Sequence, residues 1–148
     1  MIARTDHIGI SVASLERSIR FYRDGLGLML VEEEGFSGEQ YDRILGLKDV
    51  RGRLALLRAN NLQIELFEFE HPQPRNSTPD RPVCDHGITH FCIEVTDIEA
   101  LCERLSAAGA RFHCPPLLFF GTTKATYVRD PDGNVFELIE NIERERRK

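Results

Sequence analysis

Two stretches of this chain read alike: His7-Ile8-Gly9-Ile10-Ser11-Val12 and, 83 residues further on, His90-Phe91-Cys92-Ile93-Glu94-Val95. Each opens on a histidine and then alternates apolar with small or polar residues, the mark of a half-buried strand. A helical pattern follows both. Ile98, Leu101, Cys102 and Leu105 fall on one helix face, and Thr96 with Glu99 fits a capping box that predicts where this helix starts. In the first copy Ser14 is the expected N-cap, Leu15, Ile19 and Tyr22 make the stripe, and Gly25 and Gly27 end it.

A second echo closes each half. Leu62-Gln63-Ile64-Glu65-Leu66-Phe67 matches Asn134-Val135-Phe136-Glu137-Leu138-Ile139, 72 residues on. Asp130-Pro131-Asp132-Gly133 is a turn before the last strand, with Pro presetting φ and Gly supplying a positive φ; Asn60-Asn61 takes that place in the first half. The two offsets differ because residues 35–50 hold an insertion, where Tyr41, Ile44 and Leu45 suggest a short extra helix. Each half then reads β-α-β-β-β, with elements at 4–12, 14–24, 27–34, 52–59 and 62–70, and at 87–95, 97–109, 111–114, 123–129 and 134–140. The expected fold is α+β: two paired βαβββ modules forming a curved mixed sheet. The 148 residues make a single domain, with module one at about 4–70, a proline-rich linker at 71–86, module two at about 87–140 and a charged tail, Glu143 to Lys148.

Alternation selects the candidate site. Ile8, Ile10 and Val12 face a helix, which leaves His7 opposite; Phe91, Ile93 and Val95 likewise leave His90. Ile64 and Leu66 oppose Glu65, and Phe136 and Leu138 oppose Glu137. If an internal twofold relates the halves, His7, Glu65, His90 and Glu137 converge on one cavity. Two neutral imidazoles and two carboxylates balance a divalent cation and leave two octahedral positions open. The donor set suits Ni, Co, Zn, Mn or Fe. Asp6 is assigned to the opposite face by the same alternation and not to the support of His7. His71, His86 and His113 have no counterpart in the other half and are left out of the site. Cys92 reads as a small buried packing residue.

Composition narrows the partners. The net charge is −5, from 19 basic and 24 acidic residues, and no basic patch with interleaved aromatics points to nucleic acid. No apolar run is long enough to span a membrane and no signal-peptide core opens the chain, so a cytoplasmic protein is expected. The cysteines Cys84, Cys92, Cys102 and Cys114 lack CxxC spacing and read as free thiols. Phe67 and Phe69 share the side of Glu65, and Phe119-Phe120-Gly121-Thr122-Thr123-Lys124 reads as an exposed loop. These aromatics could cover a ligand or be core, and Lys124 or Arg81 could meet an anionic tail or be solvated cations.

The paired modules, the opening Asp6-His7-Ile8-Gly9-Ile10 and the ending Asp130-Pro131-Asp132-Gly133-Asn134 with Phe136-Glu137-Leu138-Ile139-Glu140 resemble the vicinal oxygen chelate superfamily, the glyoxalase/bleomycin-resistance/dioxygenase group. The resemblance runs from residue 4 to about 140. It implies the ligand set His, Glu or Gln, His, Glu of glyoxalase I and methylmalonyl-CoA epimerase, carried by His7, Glu65, His90 and Glu137. It also implies Glu137 as the catalytic base, with Glu65 as alternative or partner, a small-molecule substrate and a homodimer. Glyoxalases carry an Asn- and Arg-rich glutathione-binding stretch where this chain has Asp80 to Gly87. The epimerase's extra carboxylate would fall in Arg51 to Leu56, which has none. The function expected is a divalent-metal-dependent lyase or isomerase acting through an enediolate or enolate on a 2-oxo hemithioacetal or acyl-thioester. An extradiol-type dioxygenase and a non-enzymatic antibiotic-binding protein are the alternatives. A fourth ligand counts against the first, and the cost of a charge cluster without a cation counts against the second.

Overall fold

The computed structural model describes residues 1–75 and 79–145, and the chain divides after residue 76 into two compact units. The first holds β1 (Ile8–Ser11), α1 (Leu15–Arg20), β2 (Met29–Ser37), α2 (Glu39–Leu45), β3 (Arg51–Ala59) and β4 (Leu62–His71). The second holds β5 (Phe91–Glu94), α3 (Ile98–Ala107), β6 (Arg111–Phe112), β7 (Leu117–Phe119), β8 (Thr123–Arg129), β9 (Val135–Asn141) and α4 (Ile142–Glu145). Each unit builds its own mixed sheet. The first has the order β1-β4-β3-β2, and the second runs β5-β9-β8-β6 with β7 also on β8. In both, the first strand lies parallel to the last, and the other pairings are antiparallel.

The apolar alternation drives this packing. Ile10, Val12, Ile64 and Leu66 are buried in the first unit with Leu15, Ile19 and Tyr22 of α1 and the π-helical turn that extends it. Phe136 and Leu138 are buried in the second, with Ile98, Leu101 and Leu105 of α3. The turn residues act as their chemistry dictates. Asn60 has φ 50° and Gly133 φ 88°, and the Asp130 carboxylate accepts from the backbone N–H of Asp132 and Asn134. Ser14 caps α1 through Arg17 N–H, and the insertion forms α2 as expected.

The structure corrects three details. The cap of α3 is Asp97, in the left-handed region at φ 52°, with its carboxylate accepting from Ala100 N–H; the Thr96–Glu99 box does not form because Lys124 takes the Glu99 side chain. The strands of both histidine segments begin one residue after the histidine, at Ile8 and Phe91. The expected loop from Phe119 to Lys124 is shorter, because a further strand, β7, ends at Phe119 and β8 begins at Thr123. Together β6 and β7 line the same edge that β2 lines in the first unit, interrupted where Pro115 and Pro116 have no N–H to donate to a ladder.

A charged lock, repeated in both units, ties the helix to the last strand. Glu68 of β4 accepts from Leu15 N–H at 3.1 Å, filling one unsatisfied donor at the start of α1, and from Arg53 at 2.7 Å; Arg53 also reaches Glu16 at 2.6 Å. In the second unit Glu140, almost wholly buried, accepts from Ile98 N–H at 3.4 Å and pairs with Lys124 at 3.4 Å, while Lys124 holds Glu99 at 2.7 Å. The hydrogen bond from Lys124 holds the Glu99 carboxyl below its usual value of 4.5, and that from Arg53 does the same for Glu16.

A carboxyl depressed on folding stabilises the native state above its unfolded value, and the effect is lost as pH falls through the lower folded value. Glu99→Gln should therefore lower the melting temperature at pH 7. The gap to wild type should close as the pH drops below about 4.5, which thermal melts across pH 3–7 would check.

Gly133 has a second constraint, because a Cβ there would collide with the backbone of Pro79. Gly133→Ala combines that clash with a positive φ and should cost on the order of 2 kcal/mol or more, read by urea denaturation.

Candidate metal centre

The parallel pairing of first and last strand brings each histidine beside a glutamate. In the first unit Gly9 lies opposite Glu65 and His7 precedes β1, so that His7 Nε2 stands 3.3 Å from Glu65 Oε2. In the second, Cys92 lies opposite Glu137, and His90 Nε2 stands 3.5 Å from Glu137 Oε2. Two donors bound to one ion at about 2.1 Å and at right angles are about 3 Å apart, so each pair has the spacing of two neighbouring ligands. His7 is 42 % exposed and the other three side chains 22–26 %, open enough to receive an ion or a ligand. Among the described residues no cluster of three or more His, Cys, Asp or Glu able to hold a metal is found. Each unit thus holds one histidine–glutamate pair, with donors of the chemistry and spacing that suit a divalent cation.

The rear nitrogen of each imidazole is engaged by the residue before it. Asp6 Oδ2 lies 3.2 Å from His7 Nδ1; a carboxylate can only accept, so Nδ1 is the donor of this bond and Nε2 is the nitrogen turned to Glu65. The hydrogen bond from His7, then that from Arg4, holds the Asp6 carboxyl below its usual range. Thr89 Oγ1 takes the same place at 2.9 Å from His90 Nδ1. The alternation that sent Asp6 to the other face does not apply, because Asp6 and His7 both lie ahead of β1. Gln63, two residues before Glu65, fixes this lead-in by donating to the Asp6 carbonyl at 2.7 Å.

Other residues differ from expectation. Cys92 is not the buried packing residue expected: it is exposed as a residue and faces Glu137, and partial burial of its thiol first, then hydrogen bonding to Glu137, pushes that thiol up to about 12. Lys124 is committed to Glu99 and Glu140, and Arg81 donates to the carbonyls of His86 and Ile88, so both cations do structural work. Phe67 and Phe69 pack around Phe36 with Tyr41 and Leu45 in an aromatic cluster on the side of Glu65. Phe119 and Phe120 meet edge to face on the surface at the end of β7. His71 is held by the Asp49 carbonyl. His113 lies against Tyr127, whose ring meets that of His90 at a tilt, with centroids 4.7 Å apart. Tyr127 is the residue sequence reasoning missed, although it stands opposite Glu137 in the β8–β9 register and could have been found by counting back across the turn.

The family model described as Glyoxalase/Bleomycin resistance protein/Dioxygenase superfamily matches residues 4–138. The chain belongs to this superfamily. A lactoylglutathione lyase of Haemophilus influenzae is 30% identical over 140 residues, covering 91% of this chain and 90% of that protein. The crystal structure of a glyoxalase family protein from Bacillus cereus superposes with a TM-score of 0.89 at 26% identity, covering 96% of each chain. The fosfomycin resistance protein FosX of Listeria monocytogenes, crystallised with Mn(II) and sulfate, shares the fold at 19% identity and a TM-score of 0.62 over 100% of both chains. No helix among the described residues is long and apolar enough to cross a membrane.

If the superfamily member binds its cation through these pairs, removing the support of one imidazole should weaken the centre without removing a ligand. Asp6→Ala should lower divalent-metal affinity about tenfold or more, measured by calorimetric titration.

Proposed function

We propose that this chain is a divalent-metal-dependent lyase or isomerase of the glyoxalase type, acting through an enediolate or enolate on a small 2-oxo hemithioacetal or acyl-thioester. The observation that carries the proposal is the repeated pair, an imidazole Nε2 and a glutamate oxygen at 3.3 Å and again at 3.5 Å, at equivalent places in the two modules. Homology to lactoylglutathione lyases over nine-tenths of the chain supports it.

His7, Glu65, His90 and Glu137 together would hold one ion of Ni, Co, Zn, Mn or Fe, as a centre of two nitrogens and two oxygens. When bound, the cation supplies Lewis acidity that stabilises negative charge developing on two neighbouring substrate oxygens. The protein's own residues do the rest. His7 and His90 have no proton to give while their Nε2 atoms are committed, and Asp6 and Thr89 keep them in that orientation. Glu137 takes the proton from the carbon next to the carbonyl and returns it to the neighbouring carbon of a hemithioacetal, or to the opposite face of the same carbon of an acyl-thioester, so electrons shift within the substrate and no external oxidant is needed. Glu65 is the alternative base or its partner. The Cys92 thiol, protonated at neutral pH, faces the Glu137 carboxylate and is placed to donate to it. The protein is read as a cytoplasmic homodimer.

Metal analysis of the purified protein should find about one divalent ion per chain. Glu137→Gln should keep that ion and lose turnover of a 2-oxo aldehyde hemithioacetal by at least about a hundredfold, followed by thioester absorbance. Absence of bound metal after loading would overturn the proposed centre. Undiminished turnover by a metal-loaded Glu137→Gln would overturn the choice of base.

A further inference from the structure

Because the chain builds the same scaffold twice, the positions at which the two copies differ show where one half does something the other does not. The histidines, the paired glutamates, the lock carboxylates Glu68 and Glu140 and their helix partners Glu16 and Glu99 are the same in both. Across the sheet from the paired glutamate they diverge. Glu65 stands opposite Leu56, and Glu137 stands opposite Tyr127.

Tyr127 is closely defined. Its ring contacts two imidazoles, His90 at 4.7 Å and His113 at 5.7 Å, and its carbonyl accepts from His113 N–H at 3.0 Å. The phenol oxygen lies 3.5 Å from His90 Nε2, at the outer limit of a hydrogen bond. That nitrogen is the one committed to the cation in the function proposed above, on which this inference rests. Once its lone pair is taken, it no longer accepts, and the phenol must aim its proton at another acceptor beside the same His90–Glu137 pair. Leu56, at the equivalent place in module one, offers no donor, so this chemistry belongs to the His90–Glu137 pair alone.

We propose that Tyr127 is a specificity-determining residue whose hydroxyl donates a hydrogen bond to a substrate oxygen lying against His90 and Glu137. The substrate class this selects carries an oxyanion or carbonyl oxygen on the module-two side. A hydrogen bond to a charged oxygen is worth enough that its loss shows as about a tenfold or larger fall in affinity.

The test uses the full chain loaded with cobalt(II), whose visible spectrum reports each ligand that joins the metal. Two probes are titrated: acetohydroxamate, which presents vicinal oxygens, and imidazole, which once coordinated has no acceptor to offer. Tyr127→Phe and Tyr127→Leu, the second being the residue module one uses, should bind cobalt as wild type does. Both should bind acetohydroxamate about tenfold or more weakly and leave imidazole affinity unchanged. Equal acetohydroxamate affinity in wild type and variants would overturn the proposal. So would a parallel loss for both probes or for cobalt itself, since that would make Tyr127 a support for Glu137 or His90. Failure of the wild-type chain to take up cobalt would instead overturn the metal centre, and this role of Tyr127 with it.

Discussion

The parallel hydrogen-bonded pairing of each module's first and last strands is the constraint on which the rest depends. It places Gly9 beside Glu65 and Cys92 beside Glu137, and so brings the histidine before each first strand against a carboxylate nearly sixty residues later in module one and nearly fifty later in module two. A parallel pair needs a crossover, and the α1 and α3 segments supply it while burying the opposite face. Shifting either strand by one residue would turn the glutamate into the core and an apolar residue toward the imidazole. The register is therefore held by burial of Ile64, Leu66, Phe136 and Leu138 as much as by the backbone ladder.

The charged locks extend this logic. Glu68 and Glu140 lie three residues beyond the paired glutamates, and each reaches through the packing to a backbone N–H at the start of the crossover helix. One strand thus carries, within four residues, a carboxylate for the open face and another that seats the helix on the buried one. Arg53 and Lys124 each pair with the second carboxylate and bind a further glutamate on the helix. The geometry of the half-site and the anchoring of the helix are consequences of the same strand.

Much of this was legible in the sequence because duplication amplifies a weak signal. A single strand histidine says little, but His7 and His90, each followed by the same alternation, and Glu65 and Glu137, each before its own apolar partner, identified the pairs and the strands that bear them. What failed did so for local physical reasons. The period-two rule was applied to Asp6, which lies ahead of the strand and obeys no pleat. Thr96 fits the cap pattern, but the chain turns through a left-handed Asp97 instead, and Lys124 claims the glutamate that would have closed the box. Lys124 and Arg81 looked like free cations because their acceptors, Glu140, Glu99 and backbone carbonyls, are brought near only by tertiary structure. Tyr127 was hidden because it has no echo in the first half, where Leu56 stands.

The break at Pro115 and Pro116 has a further consequence for the outer rim of the second module. Where the first module ends in a nine-residue strand, this rim carries pieces of two and three residues, with Leu117, Leu118 and Phe119 exposed on the longer one. A greasy edge of full length would offer a foreign chain a template for cross-β association. Cut to three rungs and bounded by imino acids, it offers too few consecutive donors to seed such growth, so the prolines act as a guard against self-association of the sheet.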